Sequence, residues 1–61
     1  MKRAKLIKHL ESNGCEFDRE GKKHTLYRNV PSKKMAAVPR HSDINENLVL
    51  RICKDLGITK P

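Results

Sequence analysis

Turn-forming residues recur through the middle of this 61-residue chain and leave room only for short extended segments between them. Asn13-Gly14 comes first, Glu20-Gly21-Lys22-Lys23 and Val30-Pro31-Ser32-Lys33 follow, and Pro39 comes last. Glycine and proline interrupt regular structure because glycine adopts left-handed backbone angles cheaply and proline lacks the N–H of a strand ladder. The intervening segments are therefore predicted as strands of an antiparallel meander. They are Cys15–Arg19, His24–Asn29 and Met35–Val38.

Amphipathic helices are predicted on both sides of the meander, over residues 3–13 and 46–56, because apolar residues recur there at helical spacing. The apolar positions are Ala4, Leu6, Ile7 and Leu10 in the first helix, and Leu48, Val49, Ile52, Cys53 and Leu56 in the second. Asn45 is predicted to cap the second helix and Gly57 to end it. The order α-β-β-β-α predicts one α+β domain over residues 1–61, with both helices on one face of a three-stranded antiparallel sheet.

Two aromatic residues and two cysteines remain to be placed. Phe17 is expected in the core, because it alternates with polar neighbours. Tyr27 is open between two positions, the edge of the core and the solvent face of the sheet. Cys15 and Cys53 are expected to be reduced and buried, because disulfides are rare in the cytoplasm, where we expect this chain, and a disulfide between them is the less favoured alternative. They lack the CxxC spacing of a zinc site. The three histidines and the carboxylates likewise show no metal-ligand spacing, so we expect neither a metal nor another cofactor.

Net charge gives the first indication of a partner. The chain carries 14 basic and 7 acidic residues, for a formal charge of +7. Six basic residues and no Asp or Glu lie between Gly21 and Ser42: Lys22, Lys23, Arg28, Lys33, Lys34 and Arg40. This concentration favours a polyanionic partner, a nucleic acid or an anionic membrane surface, over a solubilising coat of charge. With aromatic content of only 3%, binding is expected to depend on phosphate contacts and on salt concentration.

The hydropathy pattern bears on where in the cell the protein is expected. No apolar run approaches the ~20 residues of a membrane span, and the basic N-terminus has no apolar core of a signal peptide. A cytoplasmic protein that does not bind membranes is expected.

Three longer segments of the sequence resemble the motifs of a known protein family. The run VPRHSDINENLVLRICKDLGI, with KKHTLY upstream and RAKLIKHLESNG at the start, resembles the HicA family of bacterial toxins. Members typically carry G-[SG]-H-x-[IL]-Y, a hairpin turn, V-P-x-H-S and a helix ending in A-G-[IL]. The match spans nearly the whole chain, and its most specific part is Ala37-Val38-Pro39-Arg40-His41-Ser42, at the right distance from His24.

The resemblance implies a fold, an activity and a partner. The fold is that of double-stranded-RNA-binding domains. The activity is that of a type II toxin–antitoxin toxin, which cleaves mRNA without the ribosome and is blocked by a HicB antitoxin. The histidine that the family needs for toxicity corresponds to His24. Two departures are clear: Lys22 and Lys23 replace small residues, with Gly21 displaced upstream, and Asn29-Val30-Pro31-Ser32 replaces the usual H-P-D-G turn. The first change either weakens a phosphate-binding turn or exchanges backbone contacts for ammonium groups.

Histidine and lysine together suit RNA cleavage without a metal. Such a reaction needs a group that takes the 2′-hydroxyl proton, charge that stabilises the phosphorane, and a proton for the leaving 5′-oxygen. His24 is the candidate general base or acid, since histidine titrates near neutral pH. Lys22 and Lys23 are candidates for holding the scissile phosphate, and Arg28 for a neighbouring one. Lys33, Lys34 and Arg40 are further candidate phosphate ligands.

Several alternatives stay open at this point. Judged without the family resemblance, His24 is better explained as a solvated histidine at the start of a strand, and the resemblance is what favours catalysis. His41 and Ser42 either supply a second catalytic group or form the loop into the second helix, and we favour the loop. The chain as a whole is either an endoribonuclease or a non-catalytic RNA-binding module of the same fold. A protein whose main task is to bind an acidic partner is a third, weaker reading.

Overall fold

Five regular elements follow one another in the computed structural model, which describes residues 1–61. They are α1 (Arg3–Ser12), β1 (Cys15–Glu20), β2 (His24–Asn29), β3 (Met35–Pro39) and α2 (Glu46–Leu56). All five predicted elements are confirmed, each to within one residue at either end. The predicted helix ends are confirmed too: Asn45 accepts a hydrogen bond from the Asn47 backbone N–H at 2.8 Å, and Gly57 closes α2 in the left-handed conformation. Neither helix is long or apolar enough to cross a membrane.

The sheet is an antiparallel meander in the order β1-β2-β3. Because β2 lies in the centre, its side chains alternate between two environments. Thr25, Tyr27 and Asn29 are buried, whereas His24 and Arg28 are exposed. Pairing with both neighbours fixes which residues share each face, since directly opposed residues of an antiparallel pair point the same way.

The core lies between the two helices and the face of the sheet that carries Tyr27. Its buried apolar residues are Leu6, Leu10, Cys15, Tyr27, Ala36, Val38, Ile44, Val49, Ile52, Cys53 and Leu56. Both helices and all three strands contribute to this one cluster, so both helices cover the same face, as predicted. Cys15 and Cys53 are free and buried, which confirms their predicted state. Tyr27, left open by the sequence, faces the core and is 7% exposed.

Phe17 is where the predicted core is wrong. Its side chain is 53% exposed, although it pairs with Tyr27 and so shares the core-facing side of the sheet. The reason is its strand. β1 lies at the edge, with a bulge between Phe17 and Arg19, so nothing covers the outer side of the ring. The inner side packs edge-on against Tyr27, with ring centroids 6.3 Å apart.

Candidate nucleic-acid interface

The solvent side of the sheet, called here the open face, carries two arginines and a histidine among acidic and apolar side chains. Register assigns eight residues to it: Glu16, Arg19, His24, Leu26, Arg28, Met35, Ala37 and Pro39. Six of them are exposed, whereas Leu26 is half-buried and Pro39 is buried. No pocket indents the molecule.

His24 begins β2 at one end of the open face. It pairs with Pro39 of β3, and its side chain is exposed to solvent. Lys22 and Lys23, which are also exposed, come immediately before it in the turn from β1. One histidine and two lysines are therefore neighbours in the chain at this end of the sheet, and all three are exposed.

Gly21 explains the local shape of that turn. Its backbone N–H donates to the carbonyl of His24 at 2.8 Å. A Cβ atom at this position would lie 3.0 Å from the same carbonyl oxygen, closer than side chains normally approach. The glycine thus permits a tight turn directly before His24.

Arg40 lies against the same turn and donates several hydrogen bonds to it. Its Nε and Nη2 donate to Glu20 Oε1 at 3.0 and 2.7 Å. Its Nη2 also donates to the carbonyls of Gly21 and His24, at 2.6 and 3.1 Å, and its Nη1 donates to that of Lys22 at 3.4 Å. Of the predicted phosphate ligands, Arg40 is the one whose donors are already occupied within the protein.

Glu20 connects this arginine to the first helix. Its Oε1 also accepts a hydrogen bond from Thr25 Oγ1 at 3.0 Å, and Thr25 Oγ1 accepts one from Arg3 Nη2 at 3.1 Å. Hydrogen bonds from Arg40 first, and then from Thr25, lower the pKa of Glu20 below its usual value. Arg3 also donates from Nε to the carbonyl of Pro39 at 2.8 Å. Sequence reasoning missed this network, because its members are far apart in the chain and carry no motif.

Lys33 and Lys34 lie at the other end of the sheet. They occupy the turn after Asn29, and β2 spans roughly 17 Å between that turn and His24 at the usual rise per residue. The Lys34 ammonium lies 3.2 Å from the position that a Cβ on Gly57 would take. It is thus near the C-terminal carbonyls of α2, whose partial negative charge attracts cations. The structure does not bring these two lysines together with His24.

His41 and Ser42 follow β3 at the His24 end of the sheet, and both are exposed. The carbonyl of Ser42 accepts a hydrogen bond from the Arg3 backbone N–H at 2.8 Å, which satisfies one of the free donors that begin a helix. Next to it, Lys2 Nζ and Asp43 Oδ2 form an ion pair at 3.0 Å. The segment therefore joins α1 to the loop before α2. The loop into α2 thus also has a structural task at the start of α1.

Elsewhere the chain offers no cluster of metal ligands, since no three His, Cys, Asp or Glu side chains come together. The fold and the site together define a small α-β-β-β-α protein. It presents an exposed histidine, next to a lysine-bearing turn, at the end of an open sheet face.

A family model describing the HicA toxin of bacterial toxin–antitoxin systems matches residues 3–58. The match covers nearly the whole chain, so the protein belongs to the HicA toxin family. Membership gives it the role of a toxin and implies an antitoxin as its partner. Comparison with curated proteins and with solved structures gave no match.

Proposed function

We propose that this toxin is a ribosome-independent mRNA endoribonuclease in which His24 transfers a proton and no metal is needed. The observation that carries the proposal is the placement of His24. It is exposed, it lies at the end of the open face, and Lys22 and Lys23 precede it directly. A buried imidazole could not have met an oligonucleotide. The partner that restrains the enzyme is proposed to be a HicB-type antitoxin.

The proposed reaction uses the nucleophile that RNA itself carries. A base takes the proton of the 2′-hydroxyl, the 2′-oxygen attacks the neighbouring phosphorus, and the bond to the 5′-oxygen breaks. The leaving oxygen takes up a proton, so the products are a 2′,3′-cyclic phosphate and a 5′-hydroxyl. His24 serves as the base or as the acid. Lys22 and Lys23 stabilise the charge on the phosphorane, because cations placed where charge develops lower the barrier.

Binding of the rest of the strand is proposed to follow the basic groups along the sheet. Arg28 lies four residues after His24, as the second residue beyond it on the same face, and would hold a neighbouring phosphate. Lys33 and Lys34, at the far end, would extend the track over a few nucleotides. A strand held mainly through its phosphates should bind with little sequence preference and strong salt dependence.

The test is cleavage by the purified protein. Wild type and His24→Ala are incubated with a labelled mRNA fragment in EDTA, and the fragments and their ends are analysed. The variant should lose about 10²–10⁴-fold in rate, while its free energy of unfolding should change by less than about 0.5 kcal/mol, since the side chain is exposed. Cleavage by His24→Ala at the wild-type rate would refute the assignment. A His41→Ala variant, made alongside, shows whether a second histidine takes part.

A non-catalytic RNA-binding module is the second candidate, and one observation favours it. Lys22 and Lys23 stand where the family has small residues, so the turn offers charge in place of close backbone contacts. Wild-type protein that binds the RNA with a steep salt dependence, yet leaves it intact, would establish this alternative.

A further inference from the structure

We infer that Arg40, held by Glu20, is a positioning residue that fixes the turn before His24, and not a phosphate ligand. The inference rests on the proposed function, because its consequence is read in the rate of RNA cleavage. It changes the role that the basic sequence pattern suggested for this arginine. The Arg40 guanidinium contacts one carboxylate and three carbonyl oxygens of a single turn.

The Nε and Nη2 donors of Arg40, which a bidentate anion would need, are taken within the protein, whereas Nη1 makes a single contact at 3.4 Å. The Nη2 group donates one hydrogen bond to Glu20 Oε1 at 2.7 Å and another to the Gly21 carbonyl at 2.6 Å. The Nε–H is committed to Glu20 as well, at 3.0 Å. A phosphate could bind the guanidinium in its usual bidentate manner only by displacing these acceptors, and displacement would release the turn.

Contacts to the backbone link Arg40 to the imidazole of His24. The carbonyl of His24 accepts from Arg40 Nη2 at 3.1 Å and from the Gly21 N–H at 2.8 Å. This peptide group is thus held from two sides. Because the backbone at His24 sets the direction of its Cα–Cβ bond, the same contacts aim the imidazole onto the open face. The carbonyl of Lys22 also accepts a hydrogen bond from Arg40 Nη1, at 3.4 Å. The same arginine therefore also holds the backbone at Lys22.

Glu20 provides the sharpest distinction between the two roles. A carboxylate beside the lysine-bearing turn repels RNA, so simple electrostatics predicts that its removal improves binding and speeds cleavage. In the structure, Glu20 instead orients Arg40 and connects it through Thr25 Oγ1 to Arg3. If Glu20 acts by holding Arg40 against the turn, Glu20→Gln must slow cleavage, although the substitution makes the protein more positive.

The experiment compares charge-removing variants by two readouts, the single-turnover rate at saturating RNA and the slope of log affinity against log salt. Lys23→Gln is the reference for a phosphate ligand and should reduce the slope by about 0.7. Arg40→Gln should leave the slope at the wild-type value and lower the saturating rate at least tenfold, as misplacement of a reacting group does. Arg51→Gln, on the exposed side of α2, is the matched control and should change neither.

Conservative variants complete the test. Arg40→Lys restores the charge but not the fork that reaches several acceptors, so the saturating rate should stay well below that of wild type. Hydrogen exchange at the Gly21 amide reports on the turn directly, and it should accelerate in the Arg40 and Glu20 variants.

Several results would overturn the inference. Arg40→Gln with a reduced slope and an unchanged saturating rate would make Arg40 a phosphate ligand. Full activity in Arg40→Lys, or faster cleavage by Glu20→Gln, would equally contradict positioning. Wild-type protein that cleaves no RNA would overturn the proposed function itself, and this result is read without any variant. The two failures are therefore distinguishable.

Discussion

A single buried amide should contribute measurably to the stability of this small domain. Asn29, the last residue of β2, is 8% exposed, and its Nδ2 donates to the carbonyl of Leu56 at 2.8 Å. Leu56 ends α2, where the final carbonyls have no partner within the helix. No backbone N–H of the chain donates to the Leu56 carbonyl, so the Asn29 side chain is what satisfies it.

Asn29→Ala should therefore cost the desolvation of a buried carbonyl together with the lost bond, about 1–3 kcal/mol. For a domain of this size, 1 kcal/mol corresponds to roughly 4–8 °C in Tm, so a loss of about 2 kcal/mol lowers Tm by about 8–16 °C. Urea unfolding followed by circular dichroism measures the loss. The m-value should stay constant, because the surface exposed on unfolding is nearly the same.

The matched control is Asn47→Ala, on the exposed side of α2, which should change the free energy of unfolding by less than about 0.5 kcal/mol. If Asn29→Ala were as stable as this control, the dependence of the Leu56 carbonyl on the amide would be refuted. Below its Tm, the Asn29→Ala protein should still cleave RNA, because Asn29 lies at the opposite end of β2 from His24.

Three further expectations concern the turn and the cysteines. Gly21→Ala places a Cβ 3.0 Å from the His24 carbonyl, so RNA cleavage should slow at least tenfold while circular dichroism stays that of a folded protein; an unchanged rate would contradict the tight-turn account. The lowered pKa of Glu20 means that its contribution to stability is complete above the ordinary glutamate value of about 4.3 and is lost as pH falls through the lowered, folded-state pKa. The difference in unfolding free energy between wild type and Glu20→Gln should accordingly shrink in acid, and a constant difference would show that the ionised carboxylate is not what stabilises. Burial raises the pKa of the Cys15 and Cys53 thiols, so a thiol reagent at neutral pH should label native protein far more slowly than protein in urea; equal rates would mean that the core opens readily.

The position of His24 was predictable, whereas its surroundings were only partly so. Lys22 and Lys23 adjoin it in the chain, and no fold could move them far from it. Arg28 lies four residues after His24, which is two strand periods, so its place on the same face could also be predicted from the sequence. Arg40 is 16 residues away, and its basic character favoured phosphate binding as much as any other role. Only strand pairing brings it to the turn.

The order and ends of the five elements, and the single face that both helices cover, could be predicted from the amino-acid sequence alone. These features follow from interactions between near neighbours, such as apolar periodicity, the Asn45 cap and the left-handed Gly57. Tertiary structure decided what depends on distant partners. It left Phe17 half in solvent at a bulged edge strand, and it separated Lys34 from His24 by the length of β2. It also occupied Arg40 with Glu20 and the turn carbonyls. The physical reason is the same in each case. A periodic pattern tells which way a side chain points, but burial and hydrogen bonding depend on which distant element lies in that direction.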